Sequence, residues 1–379
     1  MTDFTFYCPA QIDFGNHAIN HLKDHLAALN IQRPIVVTDK MLRATPAVSR
    51  AIEEAGLTAV FDDVEPNPTN DIVMALKRFV EAHNGDGLVV FGGGSSMDSA
   101  KGAAVVAYTQ NDVSAYYDFA ENQLPIQKVL PIIAVPTTAG TGSEVSQYAV
   151  ITDSSTNVKR CLTSDRIVPR IAVVDPTLTV GMPPEVTVST GLDALSHAIE
   201  SLLSTIENPL TNVLAFRAIQ LIFENLDKAR RDGTDLEARS NMSFAALIAG
   251  IAMSHCCGTM CHAMGCQLTS QYHVPHGLAC AVLQKDGLDY AGSKGENIRA
   301  LIRYLDHKDC TAPQAVALLQ KKLDDLFATL ETEMNLKQYS LTDEGIRIMT
   351  ADAMEHGCMG LNPVKMEPDQ ISEVFRKLK

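Results

Sequence analysis

Short runs rich in Val and Ile alternate with helical patterns as far as GMPPE (181–185), and beyond it they stop. Nothing else in the chain limits the fold as sharply. Before that point Pro34-Ile-Val-Val-Thr-Asp, 58–61, Gly87-Leu-Val-Val-Phe, Val129 to Val135, 147–152 and 171–174 read as strands, with helical stretches at 47–55 and 70–83 between them. Nearly continuous apolar strands are buried on both faces, as in a parallel sheet covered by helices. The opening FTFYCPAQIDFG alternates and reads as an early strand or hairpin ending at Gly15, followed by a helix to about Asn30. After Pro184 the periods are helical. A helix starts at Pro209 and stops near Gly233, 238–254 is apolar almost all round, and 312–330, 341–356 and 368–378 complete the series. The expected fold is an α/β domain over 1–184 and an all-helical domain over 185–379.

Two strand ends in the first domain carry the same signature. The Gly87 strand runs into GGGSSMDSAKGAAVV, where Gly92 to Gly94 let the backbone approach an anion and Ser95, Ser96 and Asp98 open the next helix. The G-x-G-x-x-G spacing fails at Met97, and no Gly-Lys-Ser/Thr is present, which disfavours a P-loop. The second strand runs into PTTAGTGSEVS. Two such turns suit the two ends of a dinucleotide. Asp39, at the tip of an earlier strand, is placed to accept from an adenosine ribose, and its charge would repel a 2′-phosphate; capping a helix is the equal alternative.

The helical half holds a second constellation. Asp193 and His197 lie four residues apart in TGLDALSHAIES, so they share a helix face. By itself that spacing more often marks an intrahelical hydrogen bond. His262 in TMCHAMGC and His276 in YHVPHGLA bring the set to one carboxylate and three imidazoles. Such a mix suits Fe(II) or Zn(II) rather than calcium or magnesium. Two rival clusters are weaker. His17, His21 and His25 follow helical spacing but read as a solvated face, and Cys256, Cys257, Cys261 and Cys266 offer a thiolate zinc alternative.

The net charge of −14 argues against a nucleic-acid or anionic-membrane partner. No basic-then-apolar leader is present, and the longest apolar run in the second half, around Met242 to Met253, is too short to span a bilayer. Nine cysteines without repeated C-x-x-C spacing read as free thiols, and the expected location is the cytoplasm.

Several of these stretches are long and specific: VTDK (37–40), VEPNPT (64–69), GGGSSMDSAK (92–101), PTTAGTGSEV (136–145), VDPTL (174–178), MPPEVTVSTGLDALSHAIES (182–201), HAMG (262–265), VPHG (274–277) and NP (362–363). Across nearly its whole length the chain resembles the iron-containing (group III) alcohol dehydrogenase family. Lactaldehyde reductase and 1,3-propanediol dehydrogenase are members, and dehydroquinate synthase is a distant relative. The resemblance implies a dinucleotide-binding α/β domain, an all-α metal-binding domain, and a dimer or larger homo-oligomer. It implies Asp193, His197, His262 and His276 as metal ligands. It places Gly94, Ser95 and Asp98 in the pyrophosphate loop, Thr137, Thr138 and Thr141 in the second cofactor turn, and Asn67, Lys159 and Leu178 at further cofactor contacts. Asp39 corresponds to the acid that selects NAD.

The implied reaction passes a hydride between a small alcohol or aldehyde and nicotinamide, with the cation, Fe(II) first and Zn(II) second, polarising the oxygen. Many members carry HAMAH, whose second His is credited with proton transfer. Here Cys266 takes that place and His255 stands where Asn is common. His273, acting through water or the ribose hydroxyls, is the replacement relay suggested by the sequence, with a surface-loop histidine as its plain alternative. Two rival functions stay open: a lyase or cyclase of the dehydroquinate synthase kind, and a relative that binds NAD or metal without catalysis.

Overall fold

The computed structural model describes residues 3–120, 122–156 and 158–379. The chain divides into two compact units, Tyr7–Gly181 and Met182–Lys379, the second joined by the segment ending at Phe6. The sequence reading puts that segment in the first unit and the boundary at 184. Phe6 instead stacks on His255, ring centroids 4.3 Å apart. The break falls at Met182 because its carbonyl accepts from the buried Arg239 guanidinium, which also donates to Thr187 Oγ1 at 2.9 Å.

The first unit is built on six parallel strands: β1 (Gln11–Phe14), β2 (Pro34–Val37), β3 (Ala59–Phe61), β4 (Gly87–Gly92), β5 (Ile132–Pro136) and β8 (Ile171–Val174). Their order is β1-β8-β5-β4-β2-β3. From β2 the chain steps outward to β3, then returns to β4 and proceeds the other way through β5 and β8. The reversal lies between β2 and β4, and ligands in such sheets bind beyond the strand C-termini at that point. Helices α1 (Leu22–Ala28), α2 (Lys40–Arg43), α3 (Pro46–Ala55), α4 (Asn70–Ala82) and α5 (Gly94–Val106) connect the strands. The central strands are buried over their whole length, which is why their sequences read as unbroken apolar runs.

Two departures have simple causes. Only Gln11–Phe14 of the opening stretch is strand, because pairing comes from one neighbour, β8. A hairpin, β6 (Tyr148–Asp153) with β7 (Val158–Thr163), lies outside the main sheet, and β7 escapes the sequence pattern because it is largely exposed. The His21 and His25 rings do not simply face water. Asp13 Oδ2 lies 2.8 Å from His21 Nδ1 and 2.8 Å from His25 Nε2, and His25 is buried.

Among its described residues the second unit has no strand and is built on α6 (Pro184–Leu203), α7 (Pro209–Arg231), α8 (Leu236–Cys256), α9 (Met260–Tyr272), α10 (His276–Ala281), α11 (Gln284–Asp289), α12 (Gly295–Asp306), α13 (Ala312–Thr329), α14 (Asp343–Glu355) and α15 (Pro368–Leu378). Asn208 and Thr211 form a reciprocal capping box that starts α7. The run 245–252 of α8 is entirely buried, as its all-round apolar sequence requires. α9, α10, α11 and α12 are absent from the sequence reading; α10 and α11 have six residues each, too few to show a period. Among the described residues no single helix is long and apolar enough to cross a membrane.

Candidate functional site

In the first unit the two polar turns converge. Gly92 has φ 153°, and a side chain there would strike Ser96 Oγ. A Cβ on Gly93 would come within 2.9 Å of Thr138 Oγ1, and one on Gly94 within 3.0 Å of Thr141 Cγ2. Bare glycine backbone therefore lies against the threonines of the second turn, and Thr137 N donates to Gly92 O. Gly93 caps α5 without a side-chain hydrogen bond. The first-turn N–H groups, including those of Gly94 and Ser95, lack intrahelical acceptors and form an anion-facing mouth.

Asp98 does different work from Gly94 and Ser95. Its carboxylate accepts from Ser143 Oγ and from Val150 N of β6, both at 3.0 Å. Lys101, one turn along α5 and fully buried, donates to Ser143 Oγ, Ser146 Oγ and the carbonyls of Ser146 and Tyr148 at 2.7–3.2 Å. The two side chains pin the second turn to the helix that opens at the first. Lys101 is absent from the sequence reading, although it sits within the motif GGGSSMDSAK. Burial pulls its pKa down to about 8.

The remaining cofactor candidates surround this edge. Asn67 is exposed, with φ 56°, in the turn before α4. The next residue, Pro68, accepts from Thr152 N on β6 at 2.8 Å, and Lys159 pairs with Thr152 across the hairpin. Leu178 follows β8 and packs on the apolar core beneath β4 and β5. Asp39 caps α2, its Oδ1 accepting from Met41 N and Leu42 N at 2.9 Å. The capping alternative for Asp39 is therefore realised, and its negative charge remains at the end of β2.

In the second unit, α6, α9 and α10 bring four side chains together. Asp193 Oδ1 lies 3.9 Å from His197 Nε2, 3.8 Å from His262 Nε2 and 3.8 Å from His276 Nε2. These atoms are too far apart to hydrogen-bond to the carboxylate, but donors spaced like this can share one ion. Asp193 Oδ1 and His262 Nε2 are buried with no hydrogen-bond partner, a costly arrangement unless a cation satisfies both. Burial pushes the Asp193 carboxyl up, but the imidazoles, His197 foremost, outweigh it and hold the group well below the usual carboxylate range. One carboxylate with three imidazoles fits a divalent transition ion.

Two glycines permit the approach. A Cβ on Gly277 would collide with Ser189 O and come within 2.8 Å of Asp193 N, so α10 rests directly on the α6 backbone. A Cβ on Gly265 would come within 2.7 Å of Cys280 Sγ and 3.1 Å of Cys280 N, so α10 also lies close on α9.

Glu200, which the sequence reading omits, completes the support. It is wholly buried, and its carboxylate accepts from His262 Nδ1, Thr259 N, Thr259 Oγ1, His262 N and Gln284 Nε2. Burial opposes its ionisation, but His262 and Thr259 bring its pKa down to about 2. The signal was present, since Asp193, His197 and Glu200 fall at i, i+4 and i+7 on one helix face.

The catalytic candidates lie at two positions. His273 is exposed and ends α9 in the left-handed conformation, φ 55°. Cys266 is buried one turn after His262, and it raises the pKa of His356, a residue the sequence reading passes over, against the lowering effect of burial. The thiolate alternative is not assembled. Cys256 and Cys261 are buried singly, Cys261 hydrogen-bonding to Leu283 O, while Cys257 Sγ lies 3.5 Å from Cys358 Sγ.

The sequence model of iron-containing alcohol dehydrogenase matches residues 9–176, and that of the C-terminal domain of the Fe-containing alcohol dehydrogenase family matches 187–379. The chain belongs to the iron-containing alcohol dehydrogenase family. It is 34% identical to the 1,3-propanediol dehydrogenase of Klebsiella pneumoniae, with 99% of this chain and 98% of that protein covered. A solved 1,3-propanediol oxidoreductase superposes with a TM-score of 0.93 at 32% identity, covering both chains fully. The sulfoacetaldehyde reductase of Bifidobacterium kashiwanohense, solved with NAD+, gives 0.90 at 31% identity over 100% of this chain and 99% of that one. The protein is thus an oxidoreductase of the alcohol dehydrogenase kind, in a family that implies a divalent metal. Both matched models are alcohol dehydrogenase models, which leaves the lyase or cyclase reading without support.

Proposed function

We propose that the protein is an NAD-linked, metal-dependent dehydrogenase that interconverts a small alcohol and its aldehyde. Asp193, His197, His262 and His276 would hold the ion, Fe(II) in the first instance and Zn(II) as the alternative. The observation that carries this reading is the convergence of three imidazole nitrogens on the buried, unpartnered Asp193 Oδ1. When bound, the ion supplies charge that polarises a substrate oxygen, and the nicotinamide gives or takes the hydride.

The chain's own residues do the positioning. Glu200 fixes the His262 tautomer, so that Nδ1 donates and Nε2 is left as the donor atom. The mouth of α5 at Gly94 and Ser95 receives the pyrophosphate, and Thr137, Thr138 and Thr141 close it from the second turn. Asn67, Lys159 and Leu178 border that edge, and Asp98 holds its far side through Ser143 and Val150. Asp39 places negative charge where a 2′-phosphate would lie, which favours NAD. His273 carries the alcohol proton toward solvent. The location we propose, from the spacing of the nine cysteines, is a reducing cytoplasm.

The test is metal-stripped protein reloaded with Fe(II), Zn(II) or Mn(II) and assayed with NAD and NADP on a panel of small alcohols and aldehydes. Reloaded protein should turn over with NAD, and Asp193→Ala should neither retain the ion nor turn over. Equal activity of stripped and reloaded protein would overturn the metal assignment. Tight NAD and metal binding with no turnover anywhere on the panel would favour the non-catalytic reading.

A further inference from the structure

A fifth donor stands beside the four candidate ligands. Cys280 follows His276 by one turn of α10, so the two side chains share a face. Its Sγ lies 3.8 Å from His276 Nε2. Asp193, His262, His276 and Cys280 each present a donor atom within 4.8 Å of every other. For metal bonds of 2.0–2.3 Å, donors around a tetrahedral ion sit roughly 3.3–3.8 Å apart, so modest contraction about an ion would close this set.

A buried cysteine is ordinarily a small apolar filler. Cys280 differs in its surroundings. It is wholly buried, yet the polar atoms beside it include Asp193 Oδ1 and His262 Nε2, both without hydrogen-bond partners. Its seat is shaped for sulfur by the missing side chain of Gly265. The Asp193 carboxylate therefore belongs to two overlapping sets of four, one with three imidazoles and one with two imidazoles and a thiol.

We propose that Cys280 is a metal donor of this centre, and that when the ion is zinc the Cys280 sulfur takes the place of His197 beside Asp193, His262 and His276. This deepens the metal reading given above and rests on it. The sulfur lone pair forms the bond, the thiol proton leaves to solvent, and no electron changes hands. A thiolate shifts the preference of the centre toward zinc over Fe(II), because sulfur is the softer donor. The chain thereby departs from a purely imidazole–carboxylate site at one residue that sequence spacing alone places one turn from a ligand.

X-ray absorption at the zinc edge of the zinc-loaded, full-length protein tests this without any mutation. The expected result is one sulfur scatterer at about 2.3 Å with nitrogen and oxygen at about 2.0–2.1 Å. Cobalt-loaded protein should show a thiolate-to-cobalt charge-transfer band in the near ultraviolet, absent from Cys280→Ser. Zinc affinity by chelator competition should fall roughly tenfold or more in Cys280→Ser, with Fe(II) affinity changed much less. One bound zinc with a nitrogen and oxygen shell and no sulfur would overturn the proposal while leaving the metal reading intact. A sulfur signal that persists in Cys280→Ser would also overturn it. Failure of the parent protein to retain any ion would overturn both.

Discussion

Glu200 Oε1 lies 2.5 Å from His262 Nδ1, inside the helical unit and away from water. The carboxylate can only accept, so the imidazole donates from Nδ1, and in its neutral form it presents Nε2 as a bare lone pair. A histidine oriented in this way is more basic and already turned toward its cation. Glu200→Gln keeps the shape but loses the charge and offers an amide with two possible orientations. We expect metal affinity, measured by chelator competition, to fall about 10–100-fold. Unchanged affinity would show that the hydrogen bond has no part in metal retention.

Gly277 adjoins His276 and touches the backbone of α6 at Ser189 and Asp193. Any side chain there must push α10 away from α6 and carry His276 with it. Gly277→Ala should lose about 1–3 kcal/mol of stability by overpacking and release metal more readily. Gly181, where an added Cβ would meet nothing within 4 Å, provides the comparison. Chemical denaturation and metal content of the two alanine variants decide the matter. Similar behaviour of both would show that the close approach of α10 to α6 does not depend on this glycine.

Glu144 is buried in the second polar turn, and burial pushes its pKa up to about 7, against its own backbone N–H and Lys101, which draw it down. A raised folded-state value means that the folded protein holds this proton when the unfolded chain has lost it. The contribution to stability is complete below the unfolded value near 4.5 and is lost as pH rises through about 7. Between about pH 5 and pH 7.5 the parent should lose roughly 2 kcal/mol from this group. Glu144→Gln should flatten that slope. Denaturation midpoints of the two proteins at both pH values would show it, and parallel profiles would refute it.

The proton path divides into two measurable cases. His273 is exposed in a left-handed position that Asn tolerates, so His273→Asn removes the imidazole with little backbone cost. If His273 is the relay, this variant loses about tenfold or more in kcat and its pH–rate profile shifts. Burial pulls the His356 pKa down, but Cys266, the other catalytic candidate, outweighs it from beside the ring. A parent-like profile in His273→Asn together with a shifted one in His356→Asn would move the role to His356.

The sequence made the layers of the fold legible because buried parallel strands leave unbroken apolar runs, as in Leu88 to Phe91 and Ile132 to Val135. It was less informative where elements face water or are short, as in β7 and α10. The four candidate ligands were visible because two share a helix turn and the others sit in distinctive motifs. Glu200, Lys101 and Cys280 were not singled out, since each acts through a neighbour from another element. Glu200 depends on Thr259 and His262, Lys101 on Ser143 and Ser146, and Cys280 on the hollow at Gly265. Pattern along one chain segment does not display such pairings. His25 shows the opposite error, a side chain assigned to solvent that Asp13 draws inward.

Transplanting Asp193, His197, His262 and His276 onto another bundle of helices would not recreate this centre. The spacing between those side chains is set by main chain lying on main chain where Gly277 and Gly265 have nothing to interpose. A graft would need the recipient's helices to touch at both places, so the transferable unit is a pair of bare notches rather than a list of four donors.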